Sequence, residues 1–416
     1  MQSKHLNGQL AVCMLCDLYL PFFSGASHQA HRLAKSLVER NVQVLVIAGR
    51  YPGTAAQDVV EGIPVRRMRL LNSELPLARP FSMALGALPI LFKERHHFDI
   101  LHIHGNKVFS FLPLGFARLL GKKTVIKMTL LGSPDDPATW PGNPLGPLMR
   151  LSFVLADRVV SISTPLSDNY QRSGLDPARL RKMPQGVDVS RFHPVAAWQK
   201  KEIRAALGLR HQATYLSFVG SFKQRKGADI LVEMFILLAR QHPELHLLVV
   251  GPDAFDDPVR AKRPYVSDAD ALKQAVQRAG VIDRVVFTGQ VSNVHTFLQA
   301  SDVFVFPSRR EGFGTAIIEA MAVGLPCVIS SLDGIAAEIC SGENIAIIVG
   351  SEDPQDYVQQ VADLLAHPHA AQEMGRRARQ RVIAAYDIES VTEKYIGLYR
   401  NLCPPVKAGS DINPKS

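Results

Sequence analysis

Short hydrophobic runs alternate with longer amphipathic stretches along most of this chain. In the first half, apolar runs of strand length cover residues 10–16, 42–48, 65–68, 100–104, 124–128 and 158–161. In the second half, similar runs cover residues 215–220, 245–251, 285–289, 303–307, 326–330 and 345–349. Helices are expected between them, for example over 28–39, and at the end of the chain over about 370–400. Strands that alternate with helices in this way are typical of parallel sheets, so the pattern predicts an α/β fold.

The alternation is interrupted once, between residues 185 and 212. Residues 185–188 (Gln-Gly-Val-Asp) and 192–194 (Phe-His-Pro) have the composition of turns, and a charged helix is expected over 198–207. We therefore predict two Rossmann-like domains, at residues 1–195 and 196–385. Because open parallel sheets bind ligands at the carboxyl ends of their strands, the two sheets are expected to face each other across a cleft.

The composition is that of a globular protein with an excess of positive charge. The chain has 416 residues, of which 47% are hydrophobic and 20% charged, so neither a disordered nor a fibrous protein is indicated. The formal net charge of +9 indicates an anionic partner, which can be nucleic acid, a phospholipid surface or a phosphorylated substrate. No basic run is interleaved with aromatic residues in the way that would favour nucleic acid.

Several features indicate a cytoplasmic protein. The chain lacks a stretch of about 18 apolar residues, so no membrane-spanning helix is predicted. The apolar segment 10–23 contains Asp17, which makes it a poor signal peptide. The five cysteines are scattered, which argues against a disulfide framework. Cys13 and Cys16 lie on the first predicted strand, where their spacing points them to opposite faces and favours core packing over a redox or metal site.

The segment 70–97 differs from the rest of the first half. It mixes leucine, proline, phenylalanine and methionine, is flanked by basic residues and has no strand period. A basic, apolar segment of this kind can lie on an anionic membrane surface on the inner face of the membrane or bind a lipid-linked acceptor. A buried helix that covers the sheet is an equally good interpretation.

The strongest chemical signal lies in residues 307–326. A predicted buried strand is followed by a turn with Gly312 and Gly314 and then by an apolar helix. The glycines allow the backbone to approach a ligand closely, and the free amides at the helix start favour phosphate or sugar oxygens. Glu319 lies between apolar residues in that helix and needs a partner if it is buried. A ribose diol is one such partner, and a local arginine or solvent is the alternative.

Glu311 and Glu319, with seven residues between them, resemble the E-x7-E motif of the retaining GT-B glycosyltransferases of family 4, also called group 1. Other segments resemble the same family in order and spacing, namely residues 185–188, 219–227, 287–291, 300–303 and 324–326. In the first half, Ser24-Gly25 resembles the glycine loop of the family, and His102-Ile-His104-Gly105 its H-x-H segment. The resemblance spans about residues 17 to 350 and is strongest in the second half.

The resemblance implies a GT-B fold in which a carboxyl-terminal helix, 386–403, packs back on the first domain. It also implies a retaining transfer of a hexose from a nucleoside-diphosphate sugar, most commonly UDP, to a hydroxyl of a glycan or lipid-linked acceptor. No metal ion or cofactor is expected. The catalytic residues implied are Glu311, Lys226 and Thr129. The donor site implied comprises Gly25, Ser221, Arg225, Lys226, Val291, Glu311, Gly312, Phe313, Gly314, Thr315 and Glu319.

Two positions depart from the family pattern. Ser221 stands where the family usually has an arginine, so either Arg225 or Lys223 compensates or the diphosphate is held more weakly. Thr129 aligns with a position that is often histidine, and a hydroxyl cannot serve as a base near neutral pH. Asp135, Asp136 or His104 on the acceptor side can take the proton, as can the leaving phosphate itself.

Other functions remain open at this stage. A nucleotide-sugar epimerase or a phosphorylase would share the architecture, although the carboxyl-terminal motif favours transfer. The missing histidine supports a further alternative, a catalytically inactive paralogue that binds a nucleotide sugar and acts as a partner subunit. His102 and His104 share one face of a strand, which is compatible with a metal site. Because no third ligand is evident, a core or cleft-lining pair is the better interpretation.

Overall fold

The computed structural model describes residues 9–22, 25–71, 75, 77–252 and 268–404. It contains one sheet of eight strands and one of six, each covered by helices on both faces. Ser24 of the predicted glycine loop lies outside the described residues. In the described parts of the chain, no helix combines the length and apolar character needed to cross a membrane.

The first sheet has the strand order β3-β4-β2-β1-β5-β6-β7-β8, and all neighbours are parallel except β3 and β4. Its strands are β1 (Ala11–Cys16), β2 (Gln43–Arg50), β3 (Gln57–Val60), β4 (Ile63–Arg69), β5 (Ile100–His104), β6 (Lys123–Lys127), β7 (Arg158–Ser161) and β8 (Leu180–Lys182). The six runs predicted in this half are therefore strands, with ends that differ by a few residues. β3 and β8 were not predicted, because each is short and largely polar.

Helices cover the two faces of this sheet. They are α1 (Gly25–Glu39), α2 (Ala78–Lys93), α3 (Phe111–Leu119), α4 (Gly146–Leu155) and α5 (Thr164–Arg172). Alternate strand residues point to opposite sides. Cys13 and Leu15 pack with α2, α3 and α4, whereas Met14 and Cys16 pack with α1. Cys13 and Cys16 thus lie on opposite faces of β1, and burial raises the pKa of the Cys16 thiol to about 12.

The second sheet is parallel throughout, with the order β11-β10-β9-β12-β13-β14. Its strands are β9 (Thr214–Val219), β10 (Leu245–Val250), β11 (Val285–Phe287), β12 (Val303–Phe306), β13 (Cys327–Ser330) and β14 (Ile347–Val349). The helices of this part are α6 (Ala197–Ala206), α7 (Ala228–Gln241), α8 (Asp268–Arg278), α9 (Val294–Ala300), α10 (Thr315–Val323), α11 (Ile335–Ile339), α12 (Pro354–Ala366) and α13 (Pro368–Tyr386). The predicted α/β class, with two parallel sheets, is confirmed.

The chain crosses between the two sheets twice, and the crossings lie side by side. Val187 donates its amide hydrogen to the carbonyl oxygen of Tyr386 at 2.9 Å and accepts one from Ile388 at 2.9 Å. Helix α14 (Ile388–Leu402) then packs on the first sheet, where Tyr395 and Tyr399 join the core formed with α1. This helix, the last among the described residues, therefore belongs to the first domain in its packing.

Candidate functional site

The loop between β12 and α10 lies at the carboxyl end of the second sheet. β12 is fully buried, which anchors the start of the loop, and α10 begins directly after Gly314. Glu311 lies in this loop and is 8% exposed. α10 starts at Thr315, four residues further on, so a carboxylate and the free amides of a helix amino terminus belong to the same loop.

Lys226 and Glu311 form an ion pair in this loop region. The Lys226 ammonium donates to Oε1 of Glu311 at 2.5 Å, and the Ser308 hydroxyl donates to the same oxygen at 2.7 Å. Burial lowers the pKa of Lys226, and the neighbouring Glu311 carboxylate opposes this effect. Each charge of this largely buried pair compensates the other. Removing either residue would therefore leave an uncompensated buried charge.

Lys226 is positioned by a short 3₁₀ turn, Gln224–Lys226, which follows β9 and ends at Gly227. Gly227 has φ +71°, and a Cβ atom there would lie 1.9 Å from the carbonyl oxygen of Pro307. Only glycine therefore allows this turn to lie against the end of β12. The Lys226 ammonium also lies 5.3 Å from the ring centroid of Phe306. Packing between the two loops thus fixes the cation beside the carboxylate.

Thr129 faces this loop from the first domain. Its hydroxyl donates to Oδ2 of Asp135 at 2.6 Å, and its amide donates to the same oxygen at 2.5 Å. A Cβ atom on Gly312 would lie 1.9 Å from the carbonyl oxygen of Thr129, so the two domains touch at this point. Burial raises the pKa of the Asp135 carboxyl. Thr129, Asp135 and Glu311 are thus placed around one point of contact between the domains.

The two other candidates for accepting the proton, Asp136 and His104, lie in different surroundings. Asp136 accepts hydrogen bonds from the amide of Gly132 at 2.8 Å and from the side chain of Asn169 at 2.9 Å, which are the contacts of an ordinary loop. His104 is buried, with its ring 4.2 Å from that of His102. Burial also lowers the pKa of His104 well below its ordinary value.

His102 and His104 lie beneath α14 and are better described as a core pair. Nδ1 of His102 lies 2.7 Å from the hydroxyl of Tyr399. Within the described residues, no group of three histidine, cysteine, aspartate or glutamate side chains is arranged to hold a metal ion. The acceptor-side role of His104 stays a prediction.

Helix α1 of the first domain lies opposite α10 of the second. Gln29 donates to the hydroxyl of Thr315 at 3.3 Å, and Arg32 donates to Glu319 in an ion pair. Glu319 is 6% exposed, so its carboxylate does have the partner that its burial requires. That partner is an arginine from the other domain, 287 positions away in sequence. Two side chains of the predicted donor site thus contact α1 in this structure.

The remaining predicted donor residues lie around the same loops. Gly25 is the exposed first residue of α1, and nothing lies within 4 Å of a Cβ atom built there. Arg225 donates to the carbonyl oxygen of Arg310 at 2.6 Å, and Ser221 is buried directly after β9. Val291 lies half-buried in the loop after β11. Their roles in donor binding stay predictions.

The Phe313 side chain belongs to the core. Its ring is 2% exposed and lies 5.5 Å from that of Tyr386 in an edge-on arrangement. Only its backbone is therefore available to a ligand. Sequence reasoning did not single out Arg32 or Ser308. Arg32 belongs to no recognisable motif and acts through a contact with the helix opposite, whereas Ser308 lies in the same loop as Glu311 and differs in no visible way from other serines.

Two family models match the chain in succession. The model for Glycosyltransferase Family 4 matches residues 23–191, and the model for glycosyl transferases group 1 matches residues 199–381. The gap between the two matches falls in the interruption at 185–212 that separates the predicted domains.

Characterised relatives cover different shares of the chain. D-inositol 3-phosphate glycosyltransferase 2 from Catenulispora acidiphila is 28% identical over 378 residues, which are 87% of this chain and 80% of that protein. The lipopolysaccharide core biosynthesis mannosyltransferase LpsB from Rhizobium meliloti is 32% identical over 178 residues, which are 42% of this chain and 48% of LpsB. The similarity to LpsB therefore spans about half of its length.

Solved structures with the same architecture cover nearly the whole chain. HepE from Anabaena in complex with UDP and glucose has a TM-score of 0.74 at 16% identity, covering 94% of this chain and 99% of HepE. Sucrose-phosphate synthase from Thermosynechococcus elongatus has a TM-score of 0.74 at 21% identity, covering 95% of this chain and 99% of that one. The predicted GT-B fold is thereby confirmed.

Proposed function

Because this chain belongs to the group 1 glycosyltransferases of the family 4 type, we propose that it transfers a hexose from a nucleoside-diphosphate sugar to a hydroxyl group of a glycan or a lipid-linked acceptor. The expected nucleotide is UDP, which HepE binds in its solved complex. The observation that carries the proposal is the buried ion pair of Lys226 and Glu311 beside the free amides of α10.

The site suits a diphosphate leaving group. Negative charge develops on the diphosphate as the glycosidic bond breaks, and preorganised cations and amides stabilise it. Lys226 supplies the cation, and the backbone of Gly312, Phe313 and Gly314 supplies amides next to it. With this fixed charge the leaving group needs no metal ion, so metal-independent transfer is part of the proposal. Glu311 lies next to the sugar and stabilises the positive charge that develops at the anomeric carbon of that sugar.

The anomeric configuration is retained when the acceptor oxygen attacks the anomeric carbon from the same face as the departing leaving group. The acceptor oxygen forms a bond to the anomeric carbon while the bond from that carbon to the diphosphate oxygen breaks. The acceptor proton passes to the leaving phosphate, so no covalent intermediate or protein base is needed. The Thr129 hydroxyl, held by Asp135, positions the sugar at this point.

The acceptor and the location are proposed from the relatives and from the surface. One relative is named for inositol phosphate and another for the lipopolysaccharide core, so both small and lipid-linked glycan acceptors occur among them. With its net charge of +9, the protein is proposed to act in the cytoplasm and to contact the anionic inner face of the membrane.

Thermal unfolding in the presence of UDP, GDP, ADP and CMP tests the donor. At one hundred times its dissociation constant the correct nucleotide is expected to stabilise the protein by about 2.7 kcal/mol. Nuclear magnetic resonance of the product then reports whether its anomeric configuration matches the donor. A protein that no nucleotide stabilises would refute the donor site, and binding without transfer would favour the inactive paralogue.

Replacement of Arg32 by alanine is expected to tighten nucleotide binding. If Glu319 holds the ribose, the Arg32 ion pair has to break before the nucleotide binds. Loss of a charged hydrogen bond worth about 1–2 kcal/mol should therefore lower the dissociation constant of UDP by about five- to thirtyfold. Isothermal titration calorimetry measures this constant.

Lys35→Ala is the matched control for Arg32→Ala, because Lys35 lies on the same helix but pairs with Glu61. Its dissociation constant should equal that of the wild type. A constant that rises in Arg32→Ala would mean that Arg32 itself contacts the nucleotide and would contradict this interpretation.

A further inference from the structure

Helix α2 is apolar on both of its faces. Its inner side, with Met83, Ala87 and Leu91, is buried against the first sheet. Its outer side carries Phe81 and Leu85, each 42% exposed, and continues to Phe92. A surface helix in a protein that meets only water has a polar outer face, so this one is built to be covered.

The two neighbouring helices extend this apolar surface. The Phe81 ring on α2 lies 5.3 Å from that of Phe109, directly before α3. Leu119 at the end of α3 is 86% exposed. Leu151 and Val154 on α4 are 38% and 47% exposed. All three helices cover the same face of the sheet, so we name their outer surface, with Phe81, Leu85, Phe92, Leu119, Leu151 and Val154, the α2–α4 face.

The charged residues of these three helices are all basic, namely Arg79, Lys93, Arg118 and Arg150. Arg79 and Arg118 are paired with Asp17 and Asp157, so the exposed Lys93 and Arg150 supply the positive charge of the α2–α4 face. Arg95, just beyond α2, lies 4.2 Å from the ring centroid of Phe92. Apolar side chains surrounded by cations match the chemistry of an anionic lipid surface.

We propose that the α2–α4 face docks on an anionic lipid bilayer, with its phenylalanine and leucine side chains among the headgroups and its cations on lipid phosphates. A second copy of this chain is a poorer fit, because two such faces would bring the exposed Lys93 and Arg150 of both copies together, and α2, α3 and α4 contain no acidic residue. The apolar outer stripe is short, so the mode is peripheral contact.

Docking through this face places the site near the membrane. Each of the three helices starts at the carboxyl edge of the first sheet, because it follows a parallel strand, and Thr129 follows β6 at that same edge. An acceptor anchored in the bilayer would thus reach the acceptor side of the cleft from the end of the face that carries Phe81, because Phe92, Leu119 and Val154 lie towards the opposite ends of their helices. This last step rests on the proposed sugar transfer, whereas the docking rests only on the chemistry of the surface.

The test compares vesicles of phosphatidylcholine alone with vesicles that also contain phosphatidylglycerol, using flotation of the full-length protein. The wild type is expected to bind the anionic vesicles and to be released by salt. The triple variant Phe81→Ser, Leu85→Ser, Phe92→Ser should bind them at least about tenfold more weakly, since it loses the apolar contact. The double variant Lys93→Gln, Arg150→Gln should weaken binding to the vesicles that contain phosphatidylglycerol and leave binding to pure phosphatidylcholine vesicles unchanged.

A matched control carries the same kind of change elsewhere on the surface: Val59→Ser, Trp198→Ser and Ile383→Ser, at positions that are 66%, 62% and 44% exposed. It should bind vesicles like the wild type. Equal vesicle binding by both triple variants would overturn the proposal. It would also be overturned if the wild type were a dimer and the α2–α4 triple variant, but not the control, were a monomer. Nucleotide binding, measured by thermal shift in every variant, reports separately on folding and on the proposed donor site.

Discussion

Replacement of Glu311 by glutamine is expected to lower kcat for sugar transfer by about 10²- to 10³-fold, with little change in the dissociation constant of the nucleotide. Glutamine has the shape of glutamate and can still accept hydrogen bonds from Lys226 and Ser308 through its amide oxygen. What it loses is the negative charge beside the anomeric carbon, which matters most in the transition state. Steady-state kinetics and calorimetry on the same preparation separate the two effects.

Glu352→Gln is the matched control for Glu311→Gln. Glu352 is exposed and pairs at 2.9 Å with Arg309, a residue of the site loop, so the same change of atoms removes a charge near the site but outside it. Its kcat should stay close to that of the wild type. If Glu311→Gln also retained full activity, the assignment of Glu311 to the transferred sugar would be wrong.

Replacement of Lys226 by methionine is expected to lower kcat by a similar factor of about 10² to 10³, because the developing charge on the diphosphate loses its fixed cation. This variant should also raise KM for the donor, since the cation contacts the diphosphate before and during transfer. In addition, Glu311 would be left buried without its partner, which typically costs about 3–5 kcal/mol of the free energy of unfolding. Denaturant unfolding measures that loss.

The double variant Lys226→Met with Glu311→Gln distinguishes the catalytic role from the structural one. With both charges removed, the unfolding free energy should recover most of what Lys226→Met loses, because no uncompensated charge remains. Activity should not recover. If activity returned together with stability, Lys226 would act only by holding the loop in place.

The strands and the general architecture could be predicted because they depend on local pattern. A run such as residues 245–251 is apolar at every position except His246, and this marks a strand covered on both faces wherever it occurs. The strands β3 and β8 escaped prediction because they are short, lie at the end of the sheet and carry too few buried side chains to form a pattern. The E-x7-E spacing likewise lies within one loop and helix, so it is readable from sequence.

The partners of the site residues could not be predicted in the same way. Lys226 and Glu311 are 85 positions apart, and only the resemblance to a family suggested that they meet. Arg32 and Glu319 are 287 positions apart, on helices of different domains. The sequence pattern around each of these residues does not indicate which distant residue it contacts. Thr129 stands where the family often has a histidine, so the sequence left several proton acceptors open. The structure shows that Asp135 is the one hydrogen-bonded to Thr129.

By itself, the sequence determined that the chain has two α/β parts and where the loop that carries Glu311 lies, because burial and turn formation depend on neighbouring residues. The position of the break between the domains stays a prediction. Only the tertiary structure decided which charges are paired across the domains and which side of α2 is exposed. A helix that is apolar all round has no polar side to mark its orientation. Only the packing of one side of α2 against the sheet shows that the opposite side is the exposed one.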